Sequence, residues 1–212
     1  MRKVIDLDKL KDEEDLENRK REYERYLNSH INGVKKYFKQ LFLSPSLQRI
    51  LDSDYEFKTF TKDELESAIE KASKIVDKHD SSKWDEEEFD VYRYKFYPTV
   101  KEKSDKNYES KLKDRFKEAW IHHYMNNEHH TEYWCKSDSD GNMLPDKDMP
   151  LEYILEMICD WCSMSFFKST KVIDWYENFA DKEKSHMTER TKSIVDELLY
   201  DILPYIGVPV IG

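Results

Sequence analysis

The chain has 212 residues, a formal charge of −10, equal shares (38% each) of charged and hydrophobic residues, and only four glycines. That length suits one well-packed domain or at most two small ones. So few glycines exclude a turn-rich β architecture and a glycine-loop nucleotide site, and the acidic balance excludes extended nucleic-acid backbone contacts, which rest on neutralising phosphates.

Residues 1–20 read as a charged N-terminal extension, frayed and without the apolar core of a signal peptide. From Tyr23, apolar positions recur at Leu27, Ile31, Val34, Phe38 and Leu41, which is helical spacing, and His30 shares that face. Ser44-Pro45-Ser46 ends this helix, and a short one follows through Leu47 and Leu51. Thr61 and Glu64 form a capping-box pattern. It opens a helix whose buried face (Leu65, Ala68, Ala72, Ile75, Val76) runs on to His79. Residues 84–97 predict another helix through Trp84, Phe89, Tyr92 and Phe96, stopped by Pro98, and residues 101–110 read as a charged loop.

A long helix is expected from Lys111, with Leu112, Phe116, Ala119, Trp120, His123, Asn127 and His130 at three- and four-residue steps. Unbroken, it would hold His123 and His130 about 10 Å apart, too far to share one ion. Asn126-Asn127 is the natural place for it to end. Residues 136–149 form a polar turn-rich loop, and Pro150 suits the first turn of a helix carrying Tyr153, Met157, Asp160, Met164 and Phe167 on one face. Amphipathic helices at about 171–181 and 188–203 complete the chain. The fold class predicted is all-α: a single helical domain over 21–212, its site-bearing core at about 23–170 and residues 171–203 as cover.

Six of the seven histidines, at 30, 79, 122, 123, 129 and 130, gather with Asp80 and Asp160 on or beside core-facing positions. Neutral imidazole and carboxylate together suit divalent metals, and a carboxylate within an apolar stripe needs a partner. Cys159 and Cys162 have CxxC spacing inside an apolar helix and read as core packing; with Cys135 they make an odd number and no disulfide framework. Asp138-Ser-Asp140-Gly141 reads as a turn, His186 as surface, and the acidic runs at 12–17 and 85–88 as solvated faces. Trp84, Trp120 and Trp134 either pack or stack on a base.

The order H…HD…H…HH…D resembles the HD-domain superfamily of metal-dependent phosphohydrolases over about residues 23–170. His79-Asp80-Ser81-Ser82-Lys83 resembles the HDxGK signature of the HD-GYP phosphodiesterases and of inositol oxygenase-type members, with Ser82 in place of glycine and no GYP element. Met149-Pro150-Leu151 with Asp160 resembles the segment carrying the last aspartate ligand of HD-GYP proteins. The chain is also similar to a phage and bacterial family with an HDxSK motif and an HHxxxNxHH segment, for which no activity is implied. An HD-like helical bundle is the corresponding fold.

The first resemblance implies one or two divalent ions (Mn, Fe, Zn, Ni, Co or Mg). The first would take His30, His79, Asp80 and Asp160. The second would take Asp80 as a bridge, one of His122 or His123, and one of His129 or His130. The core stripe favours His123 and His130, and a helix end at Asn126-Asn127 keeps His129 in the set. Asp80 and Lys83 are the implied catalytic residues, and Lys83, Trp84 and Asn127 the implied contacts to a small phosphorylated, nucleotide-like substrate. The expected activity is phosphohydrolase or phosphodiesterase. The alternatives are a di-iron oxygenase of the inositol oxygenase type and a non-enzymatic helical protein with a structural or vestigial metal. No apolar run is long enough to span a membrane, so the expected setting is the cytoplasm (the host's, for a phage-encoded chain), with no membrane or extended nucleic-acid partner.

Overall fold

Tyr23, Leu27, His30, Val34, Phe38 and Leu41 are all buried along one face of a single long helix, α1 (Leu7–Phe42). The computed structural model describes residues 7–206. The helix takes in residues 7–20 of the expected N-terminal extension, whose first six residues lie outside the described ones. Pairs one turn apart (Arg19 with Asp15 at 3.1 Å and with Glu22 at 2.6 Å) support this stretch, and Asp15 accepts from the Val100 backbone N–H at 2.8 Å. Apart from a small two-stranded ribbon, the regular structure of the described residues is helical, so the chain is all-α.

The chain forms two compact units that alternate in sequence. The first combines residues up to Ser29 with Asp80–Asn126; the second combines His30–His79 with the residues from Asn127 onward. The chain therefore passes from one to the other at 29–30, 79–80 and 126–127, beside candidate ligands each time.

In the first unit, a 3-10 turn (Ser81–Trp84) leads to α4 (Phe89–Phe96). Then come α5 (Val100–Ser104) and α6 (Tyr108–Met125). Tyr92 and Phe96 of α4 pack on Phe116 of α6, with ring centroids 5.3 and 6.2 Å away. The stretch 101–110 is thus mostly helical, not a loop. Thr99 and Glu102 make a full capping box, a local device that the surrounding charges obscure.

Arg93, nearly inaccessible on α4, grips Glu102 with both terminal nitrogens at 2.6 and 2.7 Å. Burial alone would raise the Glu102 carboxyl pKa, but Arg93 and the Thr99 N–H outweigh it and hold it low. Arg93→Ala is expected to lower unfolding stability by about 2 kcal/mol near neutral pH, measured by urea titration. Because the folded pKa lies below the unfolded value of about 4.3, this contribution is complete above that pH. It disappears as pH falls through the folded pKa, so the variant's deficit should shrink in acid. An equal deficit at pH 7 and pH 3 would contradict the assignment.

In the second unit, α2 (Pro45–Leu51) starts from a Ser44 cap and α3 (Lys62–Ile75) from the predicted Thr61–Glu64 capping box. α3 lies along α7 (Leu151–Phe167), burying Leu65, Ala68 and Ala72 with Ile154, Leu155 and Ile158. Cys159 and Cys162 sit in this core, and burial pushes the Cys162 thiol up to about 12, as expected of packing residues. The ribbon pairs β1 (Cys135–Ser137) with β2 (Met143–Pro145) in the register Lys136↔Leu144. Its tip is the predicted turn, with Asp138 accepting from the Asp140 and Asn142 N–H groups and Gly141 at φ +82°.

Next come α8 (Val172–Phe179), α9 (Asp181–Ser185), α10 (Glu189–Asp196), a π segment (Glu197–Ile202) and α11 (Leu203–Ile206). His186, expected at the surface, is buried. It caps α9 and has Nδ1 3.5 Å from Thr131 Oγ1, a contact made across 55 residues of sequence.

Candidate metal centre

The second unit brings three predicted ligands to one point. His30 comes from α1, His79 from the 3-10 turn (Val76–Lys78) that ends α3, and Asp160 from the middle of α7. His30 Nε2 lies 3.3 Å from His79 Nε2 and 3.2 Å from Asp160 Oδ1, and His79 Nε2 lies 3.9 Å from the same oxygen. An ion with bonds near 2.1 Å separates neighbouring donors by about 3 to 3.7 Å; two of the three spacings fall within that range and the third, 3.9 Å, lies just above it.

His79 is held at its other nitrogen. Its Nδ1 is 2.9 Å from Glu156 Oε1, and His129 Nδ1 is 3.4 Å from that oxygen. Burial works to raise the Glu156 pKa, but His129 and His79 overcome it and bring it down to about 2. An ionised carboxylate only accepts, so His79 donates from Nδ1 and keeps the Nε2 lone pair free for a cation at the point where His30 and Asp160 converge. His79, His129 and Glu156 are themselves close enough to hold a metal. The His129 ring lies 4.4 Å from His79, and His130, partly exposed, stacks on His129 at 4.3 Å. Asn127 is buried, and its carbonyl accepts from the His130 N–H, closing the turn that carries both histidines.

The geometry of the triad depends on a close helix approach. Gly33 follows His30 by one turn, and Ser163 follows Asp160 by one turn; a Cβ added at Gly33 would fall 2.5 Å from Ser163 Oγ. Ser163 Oγ is 3.4 Å from His30 Nδ1 and from the His30 carbonyl. Gly33→Ala is expected to cost about 1–3 kcal/mol by overpacking. In a Ser163→Ala background the hydroxyl is gone, and the same change should be neutral or stabilising, as alanine is the better helix former. A double-mutant cycle by thermal or urea unfolding checks this; equal costs in both backgrounds would refute the contact.

The first unit assembles a second group. Asp80 sits in the left-handed region at φ +54°, a costly conformation for a non-glycine residue that turns the chain sharply after His79. Lys83 Nζ donates to Asp80 Oδ2 at 2.5 Å, and His123 Nε2 lies 3.4 Å from Asp80 Oδ1. Glu88 orients both histidines of its pair, accepting from His123 Nδ1 at 2.9 Å and His122 Nδ1 at 2.8 Å. Burial and the nearby Lys83 charge lower the His123 pKa, so the ring is neutral at physiological pH. His123 is buried and His122 partly exposed, with α6 ending at Asn126 as the asparagine pair suggests. Trp84 is exposed and stacks on Phe89 at 5.8 Å, whereas Trp120 and Trp134 pack against neighbouring rings.

Sequence reasoning missed Glu88 and Glu156. Glu88, placed on a solvated face, is fully buried because two imidazoles 34 and 35 residues away need its oxygens. Glu156 lies one turn before Asp160 on α7, and its role follows from His79, 77 residues away in sequence.

The model of one family, described as a family of unknown function (DUF5662), matches residues 19–201. Comparison with curated proteins and with solved structures finds no match.

Proposed function

The chain belongs to the DUF5662 family, a family of unknown function, and for it we propose metal-dependent hydrolysis of small, nucleotide-like phosphate esters. The observation that carries the reading is the convergence of His30 Nε2, His79 Nε2 and Asp160 Oδ1 within 3.9 Å of one another. These are three of the four residues that the HD-domain resemblance assigns to a first ion. Two buried imidazoles with a partly buried carboxylate fit Mn, Fe, Zn and similar ions.

A divalent ion, when bound, supplies an acidified water and a Lewis acid for phosphoryl oxygen. The remaining chemistry belongs to the chain. Glu156 keeps the His79 tautomer that offers Nε2, and Glu88 does the same for His123. Asp80 and His123 offer an oxygen and a nitrogen for a second ion. Lys83 holds phosphoryl oxygens as a point charge. Trp84, with one face on Phe89, offers its indole to a base.

The test is to measure bound metal and the hydrolysis of generic phosphodiester and nucleotide substrates for wild type and Asp80→Ala. Metal-dependent hydrolysis lost in Asp80→Ala supports the reading. No hydrolysis with any of the candidate ions overturns it, and iron with oxygen consumption would identify the oxygenase chemistry instead.

A further inference from the structure

Tyr23 of α1 and Tyr92 of α4, both in the first unit, are 1% and 5% exposed, and neither hydroxyl has a hydrogen-bond partner among the described residues. Buried hydroxyls are normally bonded, and one left unmade costs stability that a phenylalanine of the same shape would avoid. The rings are well placed: Tyr23 packs on Phe89 at 5.1 Å and Tyr97 at 5.9 Å, and Tyr92 on His123 at 5.7 Å with Lys83 Nζ 5.7 Å from its centroid. Packing explains the rings and leaves the oxygens unexplained.

The surroundings of these oxygens define what they can bind. Tyr23 packs on Phe89, which lies one turn before Tyr92 on α4, and Tyr92 in turn lies against Lys83 and His123, so both phenols belong to the stretch of α4 beside Lys83. A phenol, with an ordinary pKa of about 10, is a hydrogen-bond donor near neutral pH. Donors are already in place on the Asp80 and Glu88 carboxylates: Lys83 on Asp80 Oδ2, with His123 Nε2 3.4 Å from Oδ1, and His122 and His123 on Glu88. Two O–H donors are thus left beside an ammonium and an imidazole, and what they require is acceptor oxygen.

We propose that Tyr23 and Tyr92 are oxyanion-binding residues whose hydroxyls donate to the oxygens of a phosphoryl group held beside Lys83. The proposal rests on the phosphate-ester reading and adds its donors. Lys83 supplies charge, and the two phenols supply directed hydrogen bonds from fixed, buried rings.

The experiment uses the full-length, Mn-loaded protein with inorganic phosphate as probe. Phosphate is titrated calorimetrically into wild type, Tyr23→Phe, Tyr92→Phe and the double variant, and melting temperatures are recorded without phosphate. Each single change should weaken phosphate binding several-fold and the double at least tenfold, with melting temperatures unchanged or raised because an unsatisfied hydroxyl is removed. Wild-type phosphate affinity in the double variant overturns the proposal. If its melting temperature also falls, the hydroxyls serve a structural water only. Failure of wild type to bind phosphate overturns it as well. Tyrosine-dependent phosphate binding without ester hydrolysis would leave this site standing and overturn only the hydrolase reading.

Discussion

Replacing His79 by alanine is expected to strip the protein of its divalent ion. His79 acts at both ring nitrogens, presenting the Nε2 lone pair beside His30 and Asp160 and donating from Nδ1 to Glu156. The substitution removes one of three convergent donors and also leaves a buried carboxylate short of a partner. Loss of an outer carboxylate from a metal-bound histidine typically weakens binding by about 10- to 100-fold, and loss of the ligand itself should exceed that range. Wild type dialysed against low-micromolar metal should retain stoichiometric ion by plasma mass spectrometry, while His79→Ala retains less than about a tenth of it. The metal-free variant should also lose roughly 1–3 kcal/mol in urea unfolding, from the stranded Glu156. Stoichiometric metal in His79→Ala would end the assignment of this cluster.

The second large effect is expected at Lys83, with the opposite signature. Lys83 reaches Asp80 at 2.5 Å and makes no part of the His30–His79–Asp160 triad. Lys83→Ala should therefore keep its metal and its fold while turnover falls by about 100- to 1000-fold, the range for removing one directed stabiliser of developing charge. The loss should fall on kcat as well as kcat/KM, because a charge used in the transition state does more than bind the ground state. Metal content and steady-state kinetics on the same preparation separate the outcomes. If metal is lost together with turnover, Lys83 serves to hold Asp80 in place; if turnover is unchanged, it has no part in the chemistry.

What could be read from the chain depended on how far the relevant partner lay along it. The stripe from Tyr23 to Leu41, the Thr61–Glu64 cap and the turn at Asp138–Gly141 are local patterns, and each appears where its spacing indicates. Asp160 was legible for a different reason, since a carboxylate amid aromatic and methionine positions demands an explanation. Glu88 and Glu156 were not. The first lies in a run of four acids and the second among other helix polar residues, and only histidines 35 and 77 residues distant turn them inward. His186 was misplaced for the same reason, its nearest ring contact being Thr131. The charged residues before Tyr23 were underestimated because side-chain pairs one turn apart can carry a helix without an apolar face.

The approach of α1 to α7 at Gly33 and Ser163 bears on which cation the cluster can select. A methyl group at Gly33 would collide with the Ser163 hydroxyl, so glycine lets α1 and α7 run close together beside His30 and Asp160. Donors 3.2 and 3.3 Å apart then act as a rigid gauge suited to ions with bonds near 2.1 Å. Calcium prefers longer bonds and six to eight oxygens, whereas the triad offers two imidazoles and one carboxylate. Discrimination by ionic radius would thus reside in one glycine that touches no ligand atom.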